Sequence, residues 1–129
     1  MGSGEVAKAG NISLGARGES IAATYLKGRK FTILEQNFRC KCGEVDIIAR
    51  DGRTIVFVEV KTRRTLTFGP PQLAVTAFKQ RQISKTALTW LALKNLHETA
   101  ARFDVIAILL RDQSLPEIEH FMNAFDLAY

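Results

Sequence analysis

Apolar and polar positions change period along the chain, and the changes mark its elements. From Ser13 to about Leu26, Leu14, Ile21, Ala22, Tyr25 and Leu26 fall on one side of a helix, with Ser13 as its N-cap and Gly28 as its C′ stop. Phe31–Phe38 reads as a first strand. Gly43 to Lys61 holds two apolar strands joined at Asp51-Gly52, a type I′ hairpin signal. Leu73 to about Leu96 repeats Val75, Phe78, Ile83, Ala87, Trp90 and Leu91 near the helical period. Arg102–Leu110 is nearly all apolar, as a central strand is, and Glu117–Phe121 reads as an edge strand before a helical or irregular tail from Asn123. Arg63 to Gln72, with Gly69-Pro70-Pro71, is a loop. The order is helix, three strands, helix, strand, strand, which is an α/β pattern.

Three charged residues interrupt the core-grade hairpin: Asp46, Glu59 and Lys61. A two-residue loop at Asp51-Gly52 sets Arg50 against Arg53, Asp46 against Phe57 and Glu44 against Glu59. Residues two apart on a strand share a face, so Asp46, Phe57, Glu59 and Lys61 project from one side. Asp46 and Glu59 become diagonal neighbours with Cβ atoms roughly 7 Å apart, a gap that suits one divalent cation between two carboxylates. A half-exposed face with scattered charges is the alternative; against it, Ile48, Ile55 and Phe57 share that face. Two buried carboxylates without compensation cost several kcal/mol each, and a hard cation offsets this.

The chain has 129 residues, 47% of them hydrophobic. This suits one domain over residues 13–129 after a flexible N-terminus over 1–12. No run reaches membrane-span length and no apolar signal region opens the chain, so a cytoplasmic location is expected. Charge is uneven. Residues 1–94 hold 16 Lys/Arg against 7 Asp/Glu, and residues 95–129 hold 2 against 6. A basic body with an acidic pocket suits a polyanion meeting a metal, whereas solubilising charge is the plainer reading. Arg63 and Arg64 follow Lys61 directly, and Lys79, Arg81 and Lys85 lie on or near the polar side of the second helix. They are candidate phosphate contacts or a solvated face. Cys40 and Cys42 are spaced too tightly for a zinc knuckle and would make a strained disulfide, so they read as reduced thiols. Asp104 and His120 read as structural. Glu19, beside Gly15 and Gly18, is either a solvated first-turn acid or a group brought near another backbone.

The succession Glu19, Asp46 and Glu59-Val60-Lys61 resembles the signature of the restriction-endonuclease-like PD-(D/E)xK nuclease superfamily. Gly43-Glu44-Val45-Asp46-Ile47-Ile48-Ala49, Val58-Glu59-Val60-Lys61-Thr62-Arg63 and Arg102-Phe103-Asp104-Val105-Ile106 resemble, more closely, the YraN-like family of small bacterial proteins. That family is similar in pattern to Holliday-junction resolvases. The proline of the signature is absent, since Val45 precedes Asp46.

The resemblance implies an α-βββ-α-β core with a mixed central sheet flanked by helices. It also implies that Glu19, Asp46 and Glu59 ligate Mg²⁺ or Mn²⁺, and that Lys61 orients or helps deprotonate the attacking water. The chemistry asks for these types, because Mg²⁺ takes oxygen ligands while keeping several waters and acidifies a bound water. The expected activity is metal-dependent endonucleolytic cleavage of DNA, branched or otherwise structured, in repair or recombination. A C2 homodimer is expected by the same likeness. The competing expectation is a nucleic-acid-binding scaffold that keeps the fold without robust cleavage.

Overall fold

The structure is a computed structural model, and it describes residues 12–65 and 75–128. The segment before Ile12, the Arg63–Gln72 loop from residue 66 onward and the start expected for the second helix at Leu73 lie outside the described residues. Helix α1 (Leu14–Gly28) leads into strands β1 (Thr32–Cys40), β2 (Gly43–Asp51) and β3 (Thr54–Arg63). Helix α2 (Ala77–Leu93) then crosses to β4 (Ala101–Leu109), and β5 (Glu117–Phe125) follows. The sheet order is β1-β2-β3-β4-β5. Among the described strands, β3 and β4 run parallel, as the helical crossover between them requires, and the other neighbours are antiparallel. The protein is therefore α/β, with a mixed sheet between two helices.

Ser13 caps α1 as expected, its side chain accepting the Ala16 N–H at 3.0 Å. The stop differs. Gly28 is the last helical residue, and the left-handed position is Lys30, at φ 70°. The Phe31 N–H reaches back to the Leu26 carbonyl (3.0 Å) in a Schellman pattern. Helix α2 ends the same way, with Asn95 left-handed (φ 57°) and the Leu96 N–H on the Leu91 carbonyl at 2.8 Å. At its start, Thr76 accepts the Lys79 N–H and caps the helix, so Val75 and Thr76 precede it rather than belong to it. Phe78, counted on the apolar face, sits in that first turn and is 62% exposed.

Two cores cover the two faces of the sheet. On one side, Ala22, Ala23 and Leu26 of α1 meet Ile47, Ala49, Val56, Val58, Ile106 and Ile108. On the other, Ile83, Ala87, Trp90 and Leu91 of α2 meet Val45, Ile48, Ile55, Phe57, Phe103 and Val105. Burying each large side chain here contributes about 1.5–3 kcal/mol. Central β4 is buried almost throughout. Edge strand β5 runs on to Phe125, past the expected tail at Asn123, because the Asp104 carboxylate takes the Asn123 N–H at 3.0 Å across a register shift.

Candidate metal and phosphate site

The hairpin turns one residue later than Asp51-Gly52. Asp51 pairs with Thr54, leaving Gly52-Arg53 as the loop. Of these two only Gly52 has positive φ (60°), which is the type II′ pattern, not I′. The register moves by two positions on β3, and a two-residue step keeps every side chain on its face. Carried one step past Ile47–Val58, it sets Asp46 opposite Glu59 instead of Phe57, and Glu44 towards Lys61 instead of Glu59.

Backbone pairing between β2 and β3 gives way at that step. The Asp46 carboxylate accepts the Val60 N–H at 2.8 Å, a side chain standing in for a ladder carbonyl. Opposite it on β1, Asn37 takes a left-handed backbone (φ 55°) between the pairs Gln36–Ile47 and Phe38–Val45. Val45 packs on the α2 side and Ile47 on the α1 side, so the alternation of β2 slips at Asp46. The strands fork there, and the fork opens a place where side chains from both layers meet.

Glu59 lies in the fork, 5% exposed. Its Oε2 takes two ammonium groups, Lys61 Nζ at 3.3 Å and Lys79 Nζ at 3.4 Å. Lys79 comes from the first turn of α2. From the other layer, α1 brings Glu19. Gly18 makes this approach possible, since a Cβ there would fall 1.7 Å from the Thr62 hydroxyl oxygen. Asn37, with its amide nitrogen turned to the acids, donates to Glu19 Oε1 (2.9 Å) and Glu44 Oε2 (3.3 Å). Arg39 pairs with Glu44 at 3.2 Å on the exposed rim.

The electrostatics follow from this crowding. Burial and the neighbouring Glu59 carboxylate push Asp46 up to about 7, against the restraint of its Val60 N–H bond. Glu19 and Glu44 add to the push. Glu19 is raised too, by burial, then by Glu44 and Glu59, with the Asn37 amide working the other way. Four carboxylates from α1, β2 and β3 thus share one field.

Among the described residues no three Asp, Glu, His or Cys side chains close into a ready-made metal cage. Lysine ammoniums and backbone donors compensate the acids instead. The donor set nonetheless fits a hard divalent ion. It is all oxygen, it carries excess negative charge, and Asp46 faces Glu59 across the fork. Such an ion needs only one or two carboxylates beside its waters. Asp46 and Glu59 would hold it, with Glu19 directly or through water.

Of the expected phosphate contacts, Lys79 is drawn into the acid cluster itself. Arg63 ends β3, and exposed Arg64 lies 3.9 Å from Asp112. Arg81 and Lys85 are exposed on α2. Sequence reasoning passed over Glu44 and Asn37. Glu44 had a signal, since it stands two residues before Asp46 on the same strand. Asn37 had none, because a left-handed residue inside a strand follows from its neighbours' pairing. Asp104 and His120 are structural, as expected: Asp104 is fully buried and bonded to His120 (2.7 Å) and Arg102 (3.0 Å).

Fold and fork together define an α/β protein with an acid-and-lysine site where two central strands part. The chain belongs to the family described as uncharacterised protein family UPF0102, whose model matches residues 18–108. It is 70% identical over 122 residues to a UPF0102 protein of Geotalea uraniireducens, covering 95% of this chain and 96% of that one. A UPF0102 protein of Geobacter metallireducens is 64% identical over 92% of this chain and 97% of its own length. One from Rhodococcus opacus is 48% identical over 89% and 98% respectively.

Proposed function

We propose that this protein is a Mg²⁺- or Mn²⁺-dependent phosphodiesterase that cuts DNA, with branched or otherwise structured DNA as its substrate. The observation that carries the reading is the buried Glu59, paired with Lys61 and near enough for its charge to act on the Asp46 carboxyl, at the fork between β2 and β3. A fold that only needed stability would not keep acids where burial and like charge push Asp46 to about 7. The restriction-endonuclease-like resemblance of the same residues supports the assignment.

A bound divalent cation would supply positive charge to the phosphoryl oxygens and a water acidic enough to attack at neutral pH. The chain does the rest. Asp46 and Glu59 would hold such an ion, and the Val60 N–H fixes the orientation of Asp46. Lys61, freed from Glu59, orients the attacking water and neutralises charge on the phosphate. Lys79, released from the same oxygen, turns its ammonium to a phosphate oxygen, with Arg63, Arg64, Arg81 and Lys85 as outer contacts along the backbone. Backbone contacts of this kind read shape, not base sequence. One feature favours a second reading, a nucleic-acid-binding scaffold: two lysines already neutralise Glu59.

Labelled four-way junctions, flaps, single strands, plain duplex and RNA, incubated with Mg²⁺ or Mn²⁺, separate the two. Cleavage is expected, and Asp46→Asn and Glu59→Gln abolish it; Lys61→Met lowers it by roughly 10²–10³-fold. Cleavage that survives both acid substitutions would refute the site. Binding with no cleavage under either metal would establish the scaffold instead.

A further inference from the structure

A second chemistry lies at the β1–β2 turn and does not depend on the nuclease reading. Cys40 ends β1 opposite Gly43, so Lys41-Cys42 is a two-residue loop that folds the second cysteine back beside the first. Both thiols are free and half-buried. The Cys42 N–H points at the Cys40 sulfur from 3.3 Å. The Gly43 backbone and the Cys42 side chain also favour its ionised form. The Thr86 hydroxyl lies 3.7 Å away but donates its one proton to the Gln82 carbonyl at 2.8 Å, so it serves the sulfur as an acceptor. Burial resists ionisation of Cys40, yet the surrounding donors outweigh it and hold the thiol below its ordinary range. Exposed Lys41 follows it in the turn, and Arg39 before it is paired with Glu44. The result is a half-buried sulfur with a backbone N–H aimed at it and a second thiol within the same turn.

We propose that Cys40 and Cys42 form an oxidation site, in which Cys40 reacts with a peroxide and Cys42 resolves the product as a reversible disulfide across the turn. In the first step the Cys40 thiolate attacks one peroxide oxygen. An S–O bond forms, the O–O bond breaks, and the departing hydroxide takes a proton to become water. Sulfur loses two electrons to the peroxide. In the second step the Cys42 thiolate attacks the Cys40 sulfenic sulfur; S–S forms, S–O breaks, and a second water leaves. The balance is two thiols and one hydrogen peroxide giving one disulfide and two waters. A bond between next-but-one residues is strained. Strain makes a disulfide readily reducible, which suits a bond that forms and reopens.

The test treats the reduced, full-length protein with a small excess of hydrogen peroxide and maps its unreduced peptides by mass spectrometry. The peptide carrying both cysteines should lose two hydrogens, and dithiothreitol should restore them. Cys42→Ser should instead accumulate a dimedone-reactive sulfenic acid on Cys40. Cys40→Ser should oxidise several-fold more slowly than Cys42→Ser. Differential alkylation of the unsubstituted protein, where Cys40 should react first as pH rises, gives the same answer without any variant. Dimedone on Cys42, equal rates for the two variants and the two native thiols, or disulfides only between molecules would overturn the proposal.

Discussion

Two aspartates do the same backbone job at two places in the sheet and end in opposite electrostatic states. Asp46 takes the Val60 N–H at 2.8 Å where β2 and β3 part, and Asp104 takes the Asn123 N–H at 3.0 Å where β4 and β5 slip register. Around Asp104 stand cations and donors. Arg102 lies at 3.0 Å and itself bonds Asp51 at 3.1 Å, and His120 at 2.7 Å hands on to the Tyr25 hydroxyl at 3.2 Å. Burial opposes its ionisation, but these hydrogen bonds win and hold its carboxyl below the ordinary range. Around Asp46 stand acids, and its carboxyl rises to about 7. A buried charge that is fully answered is part of the scaffold. One answered only in part is open to something from outside, which in the function proposed above is a cation.

The sharpest way to break this contrast is to remove the answered charge. Asp104→Ala leaves Arg102 without its buried partner and should destabilise the protein by about 3–5 kcal/mol, read by urea unfolding at pH 7. A loss under ~1 kcal/mol would mean that the network around Asp104 holds little. The sign for Asp46 is reversed. Its folded pKa is about 7 against an ordinary 3.8, so between those values the metal-free native state holds a proton that the unfolded chain has lost. Stability from this group is therefore present at low pH, falls as pH rises towards 7, and stays lost above it. Asp46→Asn keeps an acceptor for the Val60 N–H and removes the penalty. At pH 8 without metal it should gain about 2–4 kcal/mol and lose most of the slope. Destabilisation by Asn at every pH would show that Asp46 is a structural acid like Asp104.

Smaller effects sharpen the comparison. Gly18→Ala must push α1 off Thr62 and should cost about 1–3 kcal/mol. It should also weaken Mn²⁺ binding by moving Glu19, whereas Gly15→Ala, with open space around its Cβ position, should do neither. Calorimetric titration of Mn²⁺ into both variants distinguishes them, and equal affinities would detach Glu19 from the site. Arg39→Ala removes only a rim ion pair with Glu44 and should shift the unfolding midpoint by less than ~1 kcal/mol in free-energy terms.

Element order was legible in the residues because periods of two and 3.6 alternate cleanly. The faces of the paired part of the hairpin survived a misplaced turn for a simple reason: Gly52 can serve a I′ or a II′ loop, and the shift between them is two residues, which preserves parity. What parity could not show is the slip of β2 at Asp46, where the Val60 N–H turns to a side chain. The helix stop at Lys30 and the reach of β5 were not legible. One depends on a left-handed non-glycine, the other on Asp104 satisfying Asn123 from a neighbouring strand. Phe78 misled because a 3.6 period cannot see that Thr76 starts the helix two residues earlier. Glu19 could be linked to the acids only by family resemblance, since its approach depends on Gly18 docking against Thr62. Lys79 was read as an outer contact because nothing local shows that the first turn of α2 leans over Glu59.

The chain has one tryptophan, Trp90, and its setting makes it a built-in reporter. The indole stands edge-on to Phe57 of β3 at 5.9 Å, and its N–H is held by Glu35 of β1 at 2.9 Å. The same helix carries Lys79 at its other end. Emission from this single fluorophore therefore registers how α2 seats on the sheet, and a titration with Mn²⁺ or DNA can follow that seating in unlabelled protein.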